Sequence, residues 1–135
     1  MSSIFSRIIA GEIPCHKIAE TAECFAFLDI RPLAKGHTLV VPKKETDYIV
    51  DVDDDTLSKM MVFAKKVGRA IEQVIPCVRI GVAVIGLEVP HAHIHLIPLN
   101  RLSDMDFKRK PLQLEADEMA QIAADITAKY EQSAE

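Results

Sequence analysis

The stretch Pro90-His91-Ala92-His93-Ile94-His95-Leu96-Ile97-Pro98 limits what this chain can fold into more than any other. Three of the five histidines stand at i, i+2 and i+4, interleaved with Ala92, Ile94 and Leu96 and bounded at each end by proline. Strict alternation predicts a strand, with the three imidazoles roughly 6.5–7 Å apart on one face and the apolar residues packed into a core on the other. A strand that needed only a polar outer face would be served by Thr, Lys or Ser, so three groups that titrate near neutrality point to chemistry. Two chemistries suit the row: metal ligation by neutral imidazoles, and nucleophilic or acid–base work at a phosphorus or carbonyl centre. The spacing leaves both open.

The rest of the chain must supply the surroundings of that strand. Its 135 residues, 49% hydrophobic, suit a single domain over residues 1–135 with one core. Sixteen basic against 20 acidic residues give a net charge of −4, which argues against a nucleic-acid surface but not against a small anion held in a local pocket. Cys15, Cys24 and Cys77 are odd in number and contain no C-x-x-C pair, so they read as reduced, mostly buried thiols. The N-terminus lacks the apolar run of a signal peptide, and no stretch approaches the ~18 apolar residues of a membrane span. A cytoplasmic protein without membrane contact is expected.

Ser3 or Ser2 is placed to cap a short helix over Ile4–Ala10, stopped by Gly11. Strands are predicted over Cys15–Glu20, Cys24–Ile30 and His37–Val41, the last entered through Lys35-Gly36 and ended by Pro42. By residue type alone, Asp29 reads as a turn residue and His37 as a structural histidine. Asp51–Asp55 lacks the glycine and terminal glutamate of a calcium loop and reads as a solvated helix entry. Thr56 is then the expected N-cap of a helix over Leu57–Val74, with Leu57, Met60, Ala64, Val67, Ile71 and Val74 as its apolar stripe. Met61 and Phe63 lie off that stripe and suggest a second apolar contact, for which a subunit interface is the expectation. Val78–Ile85 reads as a buried strand, Asn100–Lys110 as an irregular charged stretch, and Glu115–Tyr130 as a last amphipathic helix. The order implies an α+β fold: a five-stranded, mainly antiparallel sheet, a long helix between strands 3 and 4, a C-terminal helix, and helices on one face.

Taken together, Ile4-Phe5-x-Arg7-Ile8-Ile9-x-Gly11-Glu12-Ile13-Pro14, Phe25-x-Phe27-Leu28-Asp29-Ile30-x-Pro32, Gly36-His37-Thr38-Leu39-Val40-Val41-Pro42-Lys43 and His91-Ala92-His93-Ile94-His95-Leu96-Ile97 resemble the histidine-triad (HIT) family, in particular its small bacterial and Hint-like branch. The resemblance covers most of the chain. It implies attack by His93 on the α-phosphate of a purine nucleotide derivative, giving a nucleotidyl-histidine that water hydrolyses. His95 would hydrogen-bond a phosphate oxygen, the carbonyl of His91 would hold the tautomer of His93, and His37 would complete the cluster. Asp29 would accept the ribose hydroxyls, reversing its turn reading, and Ile30, Phe27, Phe5, Ile8 and Ile13 would form the slot for the base. The family reading further implies a homodimer, joined sheet edge to sheet edge, that works without a cofactor.

The chain departs from its relatives in two places. Where some carry a structural zinc, Ser3, Ser6 and Glu45 stand with His91, so no metal is expected. The loop Gly81–Pro90 is short and apolar, with Ala83, Leu87 and Glu88 near the positions of an asparagine, a glutamine and a hydroxyl residue that help to bind phosphate and leaving group. Glu88 is either held protonated by Leu87 and Val89 as a general acid or turned away from the site. The stiffness of a short loop beside Pro90 favours the second. The expected activity is hydrolysis of phosphoramidates or adenylates; a nucleotide-binding module with little turnover, a dinucleoside polyphosphate hydrolase and a metal-dependent hydrolase are its rivals.

Overall fold

The computed structural model describes residues 2–133. Its elements run α1 (Ile4–Ile9), β1 (Lys17–Glu20), β2 (Cys24–Leu28), β3 (Thr38–Pro42), α2 (Asp54–Val74), β4 (Arg79–Ala83), β5 (Ile94–Leu99) and α3 (Ala116–Ser133). The five strands make one antiparallel sheet in the order β1-β2-β3-β5-β4. This is the α+β arrangement that the pattern predicts, with α2 between the third and fourth strands.

Local chemistry sets the ends of the helices. The Ser3 hydroxyl caps α1 by accepting the Ser6 N–H at 3.0 Å, and Gly11, at φ +82°, turns the chain away after it. In α2 the cap is Asp53, not Thr56: the Asp53 carboxylate accepts the Thr56 N–H at 3.0 Å, and the helix starts three residues earlier than expected. Asp54 and Asp55 then fall in the first turn, where negative charge meets the positive end of the helix dipole.

Strand β2, second in the sheet, is buried on both faces and divides the interior in two. Cys24, Ala26 and Leu28 join Val40, Ile94, Leu96, Met60, Val67, Ile71 and Ile126 under α2 and α3. Phe25 and Phe27 face the other way, onto Phe5, Leu39 and Val41. The helices therefore do not all share a face: α1 covers the side opposite α2 and α3, because the second face of the sheet is aromatic and needs a lid. Phe63 is buried edge-on to Tyr130, ring centroids 5.9 Å apart, so α3 supplies the contact that its off-stripe position called for.

Three expectations about the strands change. The run Val78–Ile85 is not buried; β4 is the edge strand, with Val78 71% and Val82 53% exposed, because only β5 flanks it. Between β4 and α2 lies an open groove of about 430 Å³ whose walls include Met61, Gly68, Val78 and Val82. Strand β5 begins at Ile94 rather than at Pro90, and it contains Pro98. Pairing with β3 stops at Leu96, so Pro98 has a strand on one side only, where a missing N–H is tolerated. Of the cysteines, all free, Cys24 is buried while Cys15 and Cys77 are only half-buried.

Candidate active site

Four histidines line the antiparallel pair β3 and β5 on the Phe5 side of the sheet, from His37 just before β3 to His91 beside its last residue, Pro42. The alternation acts as its periodicity requires: Ala92, Ile94 and Leu96 enter the core under the long helices, and the intervening imidazoles turn to the other face. Backbone bonds from His91 N–H to the Val89 carbonyl (2.8 Å) and from Ala92 N–H to the Thr46 carbonyl (2.7 Å) hold the segment before β5. His91, His37, His93 and His95 are 0%, 2%, 7% and 8% exposed, so water contributes little to their solvation and protein partners govern the ring nitrogens that have them.

Those partners specify the tautomers. Nε2 of His91 is 2.8 Å from the carbonyl of Pro42, which can only accept, so His91 carries its proton on Nε2. Nδ1 of His91 then accepts from the Ser3 hydroxyl at 2.7 Å. Nδ1 of His93 lies 2.8 Å from the carbonyl of His91 and must donate to it, which leaves the lone pair of His93 on Nε2. In His37 the order is reversed, since the Leu33 N–H donates to its Nδ1 at 3.0 Å and the proton sits on Nε2. That Nε2–H faces Nδ1 of His95 at 3.0 Å, so His95 accepts there and keeps its own proton on Nε2. His93 is thereby left with a free acceptor nitrogen, and its neighbour His95 with a free donor.

Burial also keeps the outer pair neutral. It lowers the pKa of His37 to about 3 and that of His95 to about 4, the charges of neighbouring histidines adding to the effect. Burial lowers His91 too, against the opposing pull of the Pro42 carbonyl. Asp29 follows β2, its N–H on the His37 carbonyl at 2.9 Å and its Oδ1 accepting the Arg31 N–H at 2.9 Å. One Asp29 oxygen thus closes a turn, as its residue type predicts, and Oδ2 stands 3.6 Å from His37 Nε2 at the edge of the cluster. Burial pushes the Asp29 carboxyl up, the Arg31 N–H opposes the rise, and the negative charge of Glu88 adds to it.

Ligand atoms of Asp29, His37 and His95 lie within 4.8 Å of one another, close enough to suggest a metal. The hydrogen bonds argue otherwise, because a neutral His37 that accepts at Nδ1 has a proton, not a lone pair, on Nε2. Of the expected base slot, Phe5 packs edge-on to Phe27 at 5.5 Å and to His93 at 5.1 Å, with Ile8 half-buried beside them. Ile13 is half-buried outside that cluster and Ile30 is 73% exposed. Glu88 is exposed, and Leu87 beside it is 89% exposed, so the apolar shell that would keep Glu88 protonated is not assembled.

A family model for the HIT domain matches residues 10–102. The chain belongs to the HIT family. It is 39% identical over 99 residues to the adenosine 5'-monophosphoramidase of Schizosaccharomyces pombe, covering 73% of this chain and 74% of that protein. With the adenosine 5'-monophosphoramidase of Saccharomyces cerevisiae the identity is 33% over 132 residues, 96% of this chain and 84% of the relative. Among solved structures, a Hit-like protein from Bartonella henselae superposes with a TM-score of 0.82 at 29% identity, over 95% of this chain and 96% of the other. A zinc-bound histidine triad protein from Mycobacterium smegmatis gives the same TM-score at 28% identity, over 100% and 99% of the two chains.

The present HIT domain brings Ser3, Ser6, Glu45 and His91 together, but as a hydrogen-bonded set that does not fit zinc. Hydroxyls are poor zinc ligands, and the ring nitrogen of His91 that faces them already accepts from Ser3. Glu45 Oε1 accepts the Ser3 N–H at 2.6 Å and the Ser6 hydroxyl at 2.7 Å, and these bonds, that from the Ser3 N–H foremost, lower its pKa. Sequence reasoning named these positions without foreseeing their bonds. It missed Phe107 altogether, whose ring lies edge-on to His95 with centroids 4.8 Å apart; the one signal was a lone aromatic in an otherwise charged stretch. No helix among the described residues is long and apolar enough to cross a membrane.

Proposed function

We propose that this HIT protein hydrolyses purine nucleoside monophosphate derivatives of the phosphoramidate or adenylate type at the α-phosphate, through a nucleotidyl intermediate on His93. The observation that carries the reading is the bond from His93 Nδ1 to the His91 carbonyl, which leaves the Nε2 lone pair to act as the nucleophile. The Nε2 lone pair attacks phosphorus, the bond to the leaving group breaks, and that group departs with its electron pair and takes up a proton. Water then attacks phosphorus, the P–Nε2 bond breaks, and the nucleoside monophosphate is released. His95 donates its Nε2–H to a phosphate oxygen whose charge grows in each transition state. Asp29 accepts the ribose hydroxyls, and Phe5, Ile8, Ile13, Phe27 and Ile30 enclose the base. Glu88 turns outward and takes no proton-transfer role.

The names of the two yeast relatives support the phosphoramidate class. The exposed β4 edge and the partly apolar groove beside it support a homodimer, since an unpaired edge strand carrying Val78 and Val82 is costly to leave in water. Three unpaired cysteines support a cytoplasmic site of action.

The test is a panel of AMP and GMP phosphoramidates, acyl-adenylates and dinucleoside polyphosphates, assayed for released mononucleotide with mass detection of a nucleotidyl adduct. The expected result is turnover of phosphoramidates, an adduct on His93, and, for His93→Asn, loss of turnover with AMP affinity within about tenfold of wild type. Binding without turnover or adduct would make the protein a nucleotide-binding module. Selective turnover of the dinucleotides would move the substrate class.

A further inference from the structure

Glu45 stands outside the histidine cluster and outside the base slot, yet its carboxylate ties two parts of the site together. Its Oε1 takes both the Ser3 N–H (2.6 Å) and the Ser6 hydroxyl (2.7 Å), which are the cap and the third residue of α1. Glu45 itself follows β3 by three residues, so the contact bridges 42 positions of chain and fixes the start of α1 to the sheet. The direction of every bond in the set is determined. Because the Ser3 hydroxyl accepts from the Ser6 N–H at 3.0 Å, its own proton is free to go to Nδ1 of His91 at 2.7 Å, and His91 Nε2–H goes on to the Pro42 carbonyl. The Ser6 hydroxyl is 3.4 Å from the same Nδ1 but spends its proton on Glu45.

Two consequences meet at His93. The ring of His91 is clamped at both nitrogens, so its backbone carbonyl, the acceptor for His93 Nδ1, has one position. And α1 is held where Phe5 packs edge-on to His91 at 5.8 Å and to His93 at 5.1 Å, so that one aromatic ring touches both the nucleophile and the base slot.

We propose that Glu45, acting through Ser3, is a positioning residue for the nucleophile: it holds α1 and the His91 ring so that His93 is kept in the tautomer with Nε2 free. In this chain a chain of hydrogen bonds supplies the rigidity at positions where some relatives have a metal. The inference rests on the proposed role of His93 as nucleophile.

The experiment uses the full chain as Glu45→Ala, Glu45→Gln, Ser3→Ala and Ser3→Thr, with two readouts. Long-range 1H–15N spectra report the proton position on each histidine without any substrate. Steady-state kinetics on adenosine 5'-phosphoramidate report kcat and KM. Wild type should show His93 protonated on Nδ1 and His91 on Nε2. Ser3→Ala should give mixed tautomers at His93 and a kcat lower by about ten- to a hundredfold with KM within about twofold. Glu45→Ala should do the same and also raise KM, because Phe5 moves with α1. Ser3→Thr keeps the hydroxyl and Glu45→Gln keeps an acceptor oxygen, so both should recover most of the loss. Folded alanine variants with the wild-type tautomers at His93 would overturn the proposal, whether or not kcat falls, since a purely structural role lowers melting temperature and leaves the rings alone. If wild type has no turnover the nucleophile reading fails, while the tautomer arm still decides whether Glu45 and Ser3 set the state of His93.

Discussion

His37 donates its Nε2–H to Nδ1 of His95 across 3.0 Å, and it does so because the Leu33 N–H occupies its other nitrogen. One backbone amide in the loop after β2 therefore determines which nitrogen of a histidine on β5 carries the proton that faces the proposed phosphate. Replacing His37 by Phe should leave that amide unpaired in the interior, at a cost of about 1–3 kcal/mol, and free His95 to take either tautomer. The expected outcome is a kcat lower by about tenfold or more, with His37→Gln, which still offers an N–H, falling between the two. Denaturant melts and steady-state kinetics on the same preparations check both halves.

The low pKa values of His37 and His95 make stability depend on pH in one direction. In the unfolded chain both titrate near about 6.5. The folded values are about 3 and about 4, so between those limits and neutrality the unfolded state binds protons that the native state refuses. Stability is then complete above about pH 7 and is lost as pH falls, by up to about 1.4 kcal/mol per pH unit for each such proton. Urea melts from pH 7 to pH 5 should show this decline. The His37→Gln variant should show a shallower one, and an equal slope would count against the assignment.

Glu88 is exposed on the loop before Pro90, next to Leu87, which is exposed as well. An ionised carboxylate near a phosphate is repulsive by on the order of 1–4 kcal/mol. Glu88→Ser should leave kcat/KM on phosphoramidates equal or raise it. A drop of about a hundredfold in kcat would instead assign Glu88 the general-acid role.

Assembly is read from the open edge. Met61 is 47% exposed on the wall of the groove between α2 and β4, so a charge there should not disturb the core. Sedimentation at micromolar concentration should give wild type at twice the 15.0 kDa chain mass and Met61→Glu at the chain mass. A wild-type monomer would remove the homodimer from the proposal.

The elements and the row of imidazoles were legible from residue order alone, because both follow from short-range periodicity. Alternation at His91, His93 and His95 requires an extended chain with two unlike faces, and the spacing of Met60, Ala64, Val67 and Ile71 requires a helix with one apolar side. Even the helix start was visible as an acidic run, although a carboxylate at Asp53 won the cap from the hydroxyl of Thr56. Features that depend on partners distant in the chain were settled only by the packed fold. Whether Val78 and Val82 are covered is a property of strand order, not of β-branched composition, and Phe63 is satisfied by Tyr130 on a helix that begins 53 residues later. The protonation pattern of the site belongs to this second kind: His91 is set by Pro42, 49 positions away, and by Ser3, 88 away, and His95 by His37, 58 away. An imidazole offers two nearly equivalent nitrogens, and its own sequence neighbours seldom choose between them. The fold does so, by presenting a carbonyl to one ring and an amide to another.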